Sequence, residues 1–263
     1  MNPRTPSAAL SPMTQPARLH GCFVTGTDTE VGKTHISAAL LHWCAQQGWR
    51  SAGFKPVAAG TSLIDGQWVN EDVHALRQAS SLAMSDAEVG PCQLETACAP
   101  HIAAALQNRA IDRAAILRAA QVLASRADLL VIEGVGGFCV PLGPDWDTAD
   151  LACDFQLPVL LVVGLRLGCI NHALLTAEAV RARGLPLAGW VGNSVSPGMP
   201  WIDENVATLR QRLLQQHGAP CLGLVPWLAE PTPAKVAVHL DNAALTSVFA
   251  PVFTSPFSSL ASS

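Results

Sequence analysis

The chain has 263 residues, 49% of them apolar and 14% charged, with a formal net charge of -4. That content supports one sizeable buried core, and the acidic balance argues against a protein that grips nucleic acid through a basic face. No apolar run approaches the roughly 18 residues that span a bilayer, so a cytoplasmic protein without a membrane partner is expected.

Residues 1–20 are rich in Pro, Ser, Thr and Ala and lack the apolar segment of a leader peptide, so they read as a flexible extension. The eight cysteines show no Cys-x-x-Cys spacing and mostly lie in apolar runs, as free thiols of a reducing compartment do. The eight histidines form no His-Glu-x-x-His pattern, so no metal site is built on them here.

From Cys22 the apolar run Cys22-Phe23-Val24 predicts a strand leading into Gly26-Thr27-Asp28-Thr29-Glu30-Val31-Gly32-Lys33-Thr34. This is a phosphate-binding loop with its first glycine one place early. Backbone N–H groups of such a loop, with the helix start behind it, surround a phosphate chain. Lys33 would reach the outer phosphates and the Thr34 hydroxyl would hold magnesium. Ile36, Ala39, Leu40, Trp43 and Cys44 then recur at helical spacing, and Gly48 stops the helix.

A short strand over 51–57 ends at Pro56 and leaves Lys55 at its exit, the edge of a parallel sheet where ligands collect. Residues 61–70 read as a polar loop, and Asn70-Glu71-Asp72 opens a helix. Asp72 is either its N-cap or an acid that helps hold a cation. Residues 91–100 are irregular, and helices follow from His101 and over 112–124, with Ile116, Leu117, Ala120 and Leu123 on one face.

The run Leu129-Leu130-Val131-Ile132-Glu133-Gly134-Val135-Gly136-Gly137 predicts a buried strand that ends in an acid and a glycine turn, where a carboxylate can meet magnesium or its water. Another apolar strand over 157–165 precedes Arg166-Leu167-Gly168-Cys169-Ile170-Asn171 and a helix over 172–183, a helix start suited to an anion such as a carboxylate. The strand over 187–194 ends at Asn193, whose amide offers both a donor and an acceptor to an adenine edge or serves simply as a turn former. A helix over 203–217 buries Val206, Leu209 and Leu213, and the strand and loop over 221–228 come last; beyond Pro231 periodicity is lost. Alternating strands and helices predict an α/β, three-layer P-loop NTPase-type fold with a mostly parallel sheet flanked by helices. Its single domain should span 21–240, with a Ser-rich tail over 241–263.

These motifs together resemble the dethiobiotin synthetase family. The loop from Val24 to Thr34, Phe54-Lys55-Pro56-Val57, Val131-Ile132-Glu133-Gly134, Leu167-Gly168-Cys169-Ile170-Asn171-His172-Ala173, Ala188-Gly189-Trp190-Val191 and Pro226-Trp227-Leu228 are similar to that family's segments, in the same order. The resemblance implies an ATP-dependent ring closure joining CO2 to the two amines of 7,8-diaminopelargonate, through a carbamate and a carbamic-phosphoric anhydride, to give dethiobiotin, ADP and phosphate. It implies that Lys33 and Lys55 supply the positive charge and that Thr34, Asp72 and Glu133 bind Mg²⁺. Glu30, Val31, Gly32, Gly134, Val135 and Gly136 would line the nucleotide, with Asn193, Ser194, Pro226, Trp227 and Leu228 at adenine. Thr29, Lys55, Gly168, Cys169 and Asn171 would contact substrate, the last three from the neighbouring subunit of a homodimer. Three departures stand out. Ala59 replaces the family's Ser or Thr, the stretch after Leu228 lacks an expected acid, and the termini have no counterpart. A related fold also serves nucleotide-switch ATPases of the cell-division and partition type, which carry an extra lysine early in the loop; this loop has none before Lys33.

Overall fold

The computed structural model describes residues 19–64 and 66–249. In chain order the strands are β1 (Gly21–Gly26), β2 (Ser51–Phe54), β3 (Val57–Ala59), β4 (Ser62–Ile64), β5 (Gln67–Val69), β6 (Cys92–Leu94), β7 (Leu129–Glu133), β8 (Val159–Leu165), β9 (Leu187–Ser194) and β10 (Cys221–Val225). The helices are α1 (Lys33–Gln46), α2 (Glu71–Ala79), α3 (Asp86–Val89), α4 (Pro100–Leu106), α5 (Arg113–Ala124), α6 (Thr148–Phe155), α7 (Cys169–Ala182), α8 (Ile202–His217), α9 (Pro233–Ala237) and α10 (Asn242–Phe249).

Six strands form one sheet in the order β10-β9-β8-β1-β7-β2, and every pairing in it is parallel. The alternation of side chains along each strand sends them to two sides. Cys22 and Val24 of β1, Leu129 and Val131 of β7, and Leu160 and Val162 of β8 join the core beneath α1 and α2. Phe23, Leu130 and Ile132 face α4, α5 and α6, while Leu161, Val163 and Leu165 of β8 face α7 and α8. Three layers result, with both sheet faces covered, and this is why the strands read as unbroken apolar runs. Helix α1 is buried on most sides because α2 and α9 both pack on it. Parallel pairing also brings the exits of β1, β2, β7, β8, β9 and β10 to one edge, where the chain switches from one side of β1 to the other between β7 and β8.

Several local expectations change. The 61–70 loop contains a β4–β5 hairpin, and 91–100 contains β6, which pairs in parallel with β3. Asn70, not Asp72, caps α2, since its Oδ1 accepts the Asp72 N–H at 3.0 Å and the Val73 N–H at 3.3 Å. That frees the Asp72 carboxylate for other work. Helix α7 starts at Cys169, three residues before the expected start. The chain past Pro231 regains structure: Thr232 caps α9, and α10 buries Leu245 and Phe249 while Asn242 accepts the Trp43 indole N–H at 2.6 Å. The stretch 242–249 is thus packed helix, and residues 250–263 of the expected tail, like the extension up to residue 18, lie outside the described residues. All eight cysteines are free; Cys22, Cys44, Cys92 and Cys169 are buried, whereas Cys139 is exposed. Among the described residues no helix is long and apolar enough to cross a membrane.

Candidate active site

The loop between β1 and α1 turns on two residues in the left-handed region, Glu30 at φ 58° and Gly32 at φ 88°. A side chain at Gly32 is also barred by contact, because a Cβ there would lie 2.3 Å from Asn193 Nδ2. Gly26 is needed for space alone, as a Cβ would meet Val31 Cγ2 at 2.7 Å. The early glycine is therefore fitted to Val31, which fills the hollow under the loop and is buried. Lys33 folds back so that Nζ donates to the Asp28 carbonyl at 3.0 Å. Burial, followed by the nearby Lys55 charge, lowers the Lys33 pKa to about 8.

Beside Lys33 four groups from four segments converge. Lys55 leaves β2 with Nζ 2.8 Å from Asp72 Oδ2 and 2.6 Å from Glu133 Oε1, and it also reaches the Gly134 carbonyl at 3.3 Å. The Thr34 hydroxyl lies 2.7 Å from Asp72 Oδ1 and 2.8 Å from Glu133 Oε1, with one proton to give between them. Lys55 and Glu133 are buried, at 2% and 0% exposure, whereas Asp72 remains partly open to the cleft. Burial pulls the Lys55 pKa down more than any other single effect, but the Glu133 and Asp72 charges and hydrogen bonds together outweigh it, and the value is raised. Asp72 is pushed up by burial and held below its ordinary value by Lys55, with help from Thr34 and Lys33.

Two lysines and two carboxylates cancel in formal charge. A triphosphate entering here brings negative charge that this set cannot neutralise alone, so a divalent cation fits. The donor set fits it too: one hydroxyl and two carboxylates are hard oxygens, and Mg²⁺ takes only one or two carboxylates while keeping water and phosphate oxygens. Glu133 Oε2 is buried and has no hydrogen-bond partner, an orphan that a cation or its water would satisfy. Among the described residues no cluster of three or more His, Cys, Asp or Glu side chains could hold a metal. A carboxylate pair completed by Thr34 and phosphate needs no such cluster.

Glu133 is fully buried, while Lys33, Thr34, Lys55 and Asp72 line a cleft of about 860 Å³ that also takes in Thr29, Glu30, Gly32, Val135 and Gly136. Its far wall is apolar and small: Ala59, Ala97, Cys98, Ala99, Pro100 and Val140. Of these only Ala59 is legible in the sequence, through the hydroxyl it lacks. Ala97, Cys98 and Ala99 carry no chemical pattern, and the proline at the first turn of α4 marks only a helix start.

Glu30, Gly32 and His35 are shared with an adjoining cleft of about 150 Å³ lined by Asn193, Ser194, Pro226, Trp227 and Leu228. Both clefts therefore form one trough along the sheet's edge. Asn193 is already engaged, since its Nδ2 donates to the Val31 carbonyl at 2.9 Å. The same amide thus braces the phosphate loop, which leaves its oxygen and its second N–H to offer a ligand.

The 168–171 turn is not brought into this trough. Gly168 caps α7 in the left-handed region and Asn171 is exposed, but the Cys169 thiol is buried in the core under α7. Even the Cys169 N–H is taken, by the Arg166 carbonyl at 3.0 Å. What the turn can present to a ligand is Gly168 and Asn171, and Leu167 beside them is 94% exposed.

The six-stranded parallel sheet with this loop at its edge defines a phosphate-loop nucleotide-binding protein. A family model described as an AAA domain matches residues 20–235. Similar folds include a ParA family ATPase from Chlorobium tepidum TLS, at 12% identity and TM-score 0.52 over 87% of this chain and 98% of that one. The MinC:MinD cell division protein complex of Aquifex aeolicus matches at 12% identity and TM-score 0.51, over 87% and 95%. These likenesses speak for the fold alone. In sequence the chain is 53% identical over 228 residues to the ATP-dependent dethiobiotin synthetase BioD of Janthinobacterium sp. (strain Marseille), covering 85% of this chain and 95% of that protein. The chain belongs to the dethiobiotin synthetase family.

Proposed function

We propose that the chain is an ATP-dependent ligase that closes 7,8-diaminopelargonate with CO2 to dethiobiotin, releasing ADP and phosphate in the cytoplasm. The observation that carries the site assignment is Lys55 held between Asp72 and Glu133 beside the phosphate loop, with Lys33, Thr34, Lys55 and Asp72 lining one cleft and Glu133 fully buried.

One amine of the substrate adds to CO2 and loses a proton, forming a carbamate. A carbamate oxygen then attacks the γ-phosphorus of ATP, and ADP leaves. The second amine attacks the carbamoyl carbon of the resulting anhydride, closing the ring and expelling phosphate. An anion attacking a polyanion needs fixed positive charge at the point of meeting more than covalent help. Lys33 moves from the Asp28 carbonyl to the outer phosphate, and Lys55 faces the carbamate from the opposite side. Thr34, Asp72 and Glu133 would hold Mg²⁺, which would supply further positive charge against the polyanion. The apolar wall from Ala97 to Pro100 keeps water from the anhydride and accommodates the alkyl chain.

The substrate's distal carboxylate goes to Gly168 and Asn171 of a second subunit, so the working unit is a homodimer. Four exposed apolar side chains on α7, α8 and the turns leading into them, Leu167, Leu175, Trp201 and Leu214, support that reading. Phosphate release from ATP should require both the diamine and bicarbonate. ATP turnover at the same rate without the diamine would exclude the ligase.

A further inference from the structure

Arg166 stands where two loops meet. It is the first residue after β8, and its backbone carbonyl accepts the Cys169 N–H at 3.0 Å, closing the turn that starts α7. Its guanidinium donates to the Asp28 carboxylate of the phosphate loop. Asp28 is held elsewhere as well: the Thr29 N–H donates to its carboxylate at 2.8 Å, and Lys33 Nζ donates to its carbonyl at 3.0 Å. Two further ties join the same segments, from the Thr27 N–H to the Val162 carbonyl at 3.0 Å and from the Gly164 N–H to Thr27 Oγ1 at 3.4 Å. One residue thus carries the phosphate-seeking lysine on its carbonyl and the root of the 168–171 turn on its carboxylate.

The Arg166 and Asp28 side chains are 44% and 49% exposed, and an ion pair this wet adds little to stability. What it fixes is the spacing of two loops. When a phosphate draws Lys33 off the Asp28 carbonyl, the bonds left on Asp28 run to Arg166 and to its neighbour Thr29. A shift of Asp28 is then passed to the residue whose carbonyl closes the turn.

We propose that Arg166 is a positioning residue that couples nucleotide at the phosphate loop to the substrate carboxylate at the 168–171 turn. This rests on the dimer reading above: the turn serves the partner's cleft, so nucleotide in one subunit tunes diamine binding in the other. Such coupling is reciprocal, and the diamine raises nucleotide affinity by the same factor.

The test is calorimetric titration of diamine into the full-length protein, with and without saturating ADP and magnesium, for wild type, Arg166→Met, Arg166→Lys, Asp28→Asn and the Met/Asn double variant. ADP should raise wild-type diamine affinity by about tenfold. In Arg166→Met and Asp28→Asn that factor should fall to within about twofold of unity, whereas Arg166→Lys, which can still make a one-point contact to the Asp28 carboxylate, keeps most of it. The double variant should lose no more than either single one, because the pair acts as a unit. Diamine affinity without ADP, measured for each variant, is the reference for its own coupling factor, and the melting temperature should move by less than about 2 °C. A wild-type coupling factor in Arg166→Met, losses that simply add in the double variant, or no coupling in wild type would overturn the inference. Failure of the functional reading looks different: the diamine would not bind wild type at all, or wild type would sediment as a monomer, and either result removes this inference too.

Discussion

Two regions that the proposed function gives to one substrate are built in opposite ways. The cluster of Lys33, Thr34, Lys55, Asp72 and Glu133 is assembled within one chain, mostly buried, and locked by hydrogen bonds of 2.6 to 3.0 Å. The 168–171 turn stands apart from the cleft, with Leu167 almost fully in solvent and Asn171 exposed. Charge must be preorganised before the reaction, because reorienting dipoles during it would cost the same energy the site is meant to save. A distal carboxylate needs only a place to rest, and a neighbouring subunit can supply that.

The sharpest way to break the contrast is to remove charge from the preorganised end. Lys55→Ala should lower kcat by about 10²- to 10³-fold while leaving ADP affinity within a few-fold, read from phosphate release and calorimetry. Unchanged turnover would show that Lys55 serves structure only. At the other end, Asn171→Ala should raise the KM for the diamine by about tenfold or more, with the KM for ATP unchanged. Mixing Asn171→Ala subunits with Lys55→Ala subunits should restore one working cleft per mixed dimer, and no recovery would mean that the turn acts within its own chain. Glu133→Gln keeps shape and removes charge, so the magnesium needed for half-maximal rate should rise by about tenfold. An unaltered metal titration would move the metal site elsewhere. The smallest effect is expected from Ala59→Ser, which returns a hydroxyl to the cleft wall and should lower the diamine KM by about 2- to 10-fold. No change would mean that the backbone already provides that contact.

The preorganised end was also the more legible one. Gly26, Gly32, Lys33 and Thr34 announce themselves because a backbone that wraps phosphate tolerates few alternatives, and Glu133 does so because an acid rarely ends a buried strand without a use. The sheet followed from buried, mostly apolar stretches within strands of five to eight residues. Strands β3 to β6 were hidden, because three residues are too few to display a period of two. Asn70, Glu71 and Asp72 can all sit at a helix start, and only geometry shows that Asn70 takes the capping role and releases Asp72. Helix α10 went unseen because its anchors, Leu245 and Phe249, are set among Ala, Ser and Thr, and its partner Trp43 is distant in sequence. The family resemblance implies a substrate contact for Cys169, but a motif does not say which way a side chain turns.

The bond from Asn193 to the Val31 carbonyl has an evolutionary consequence. Its amide occupies the space a Cβ at position 32 would need, so the strand end that the proposed function gives to the base and the loop it gives to the phosphates cannot drift independently. A lineage changing its nucleobase preference through position 193 would first disturb the grip on every nucleotide alike. The open path for such a change runs through the Pro226-Trp227-Leu228 rim, where Trp227 is half in solvent.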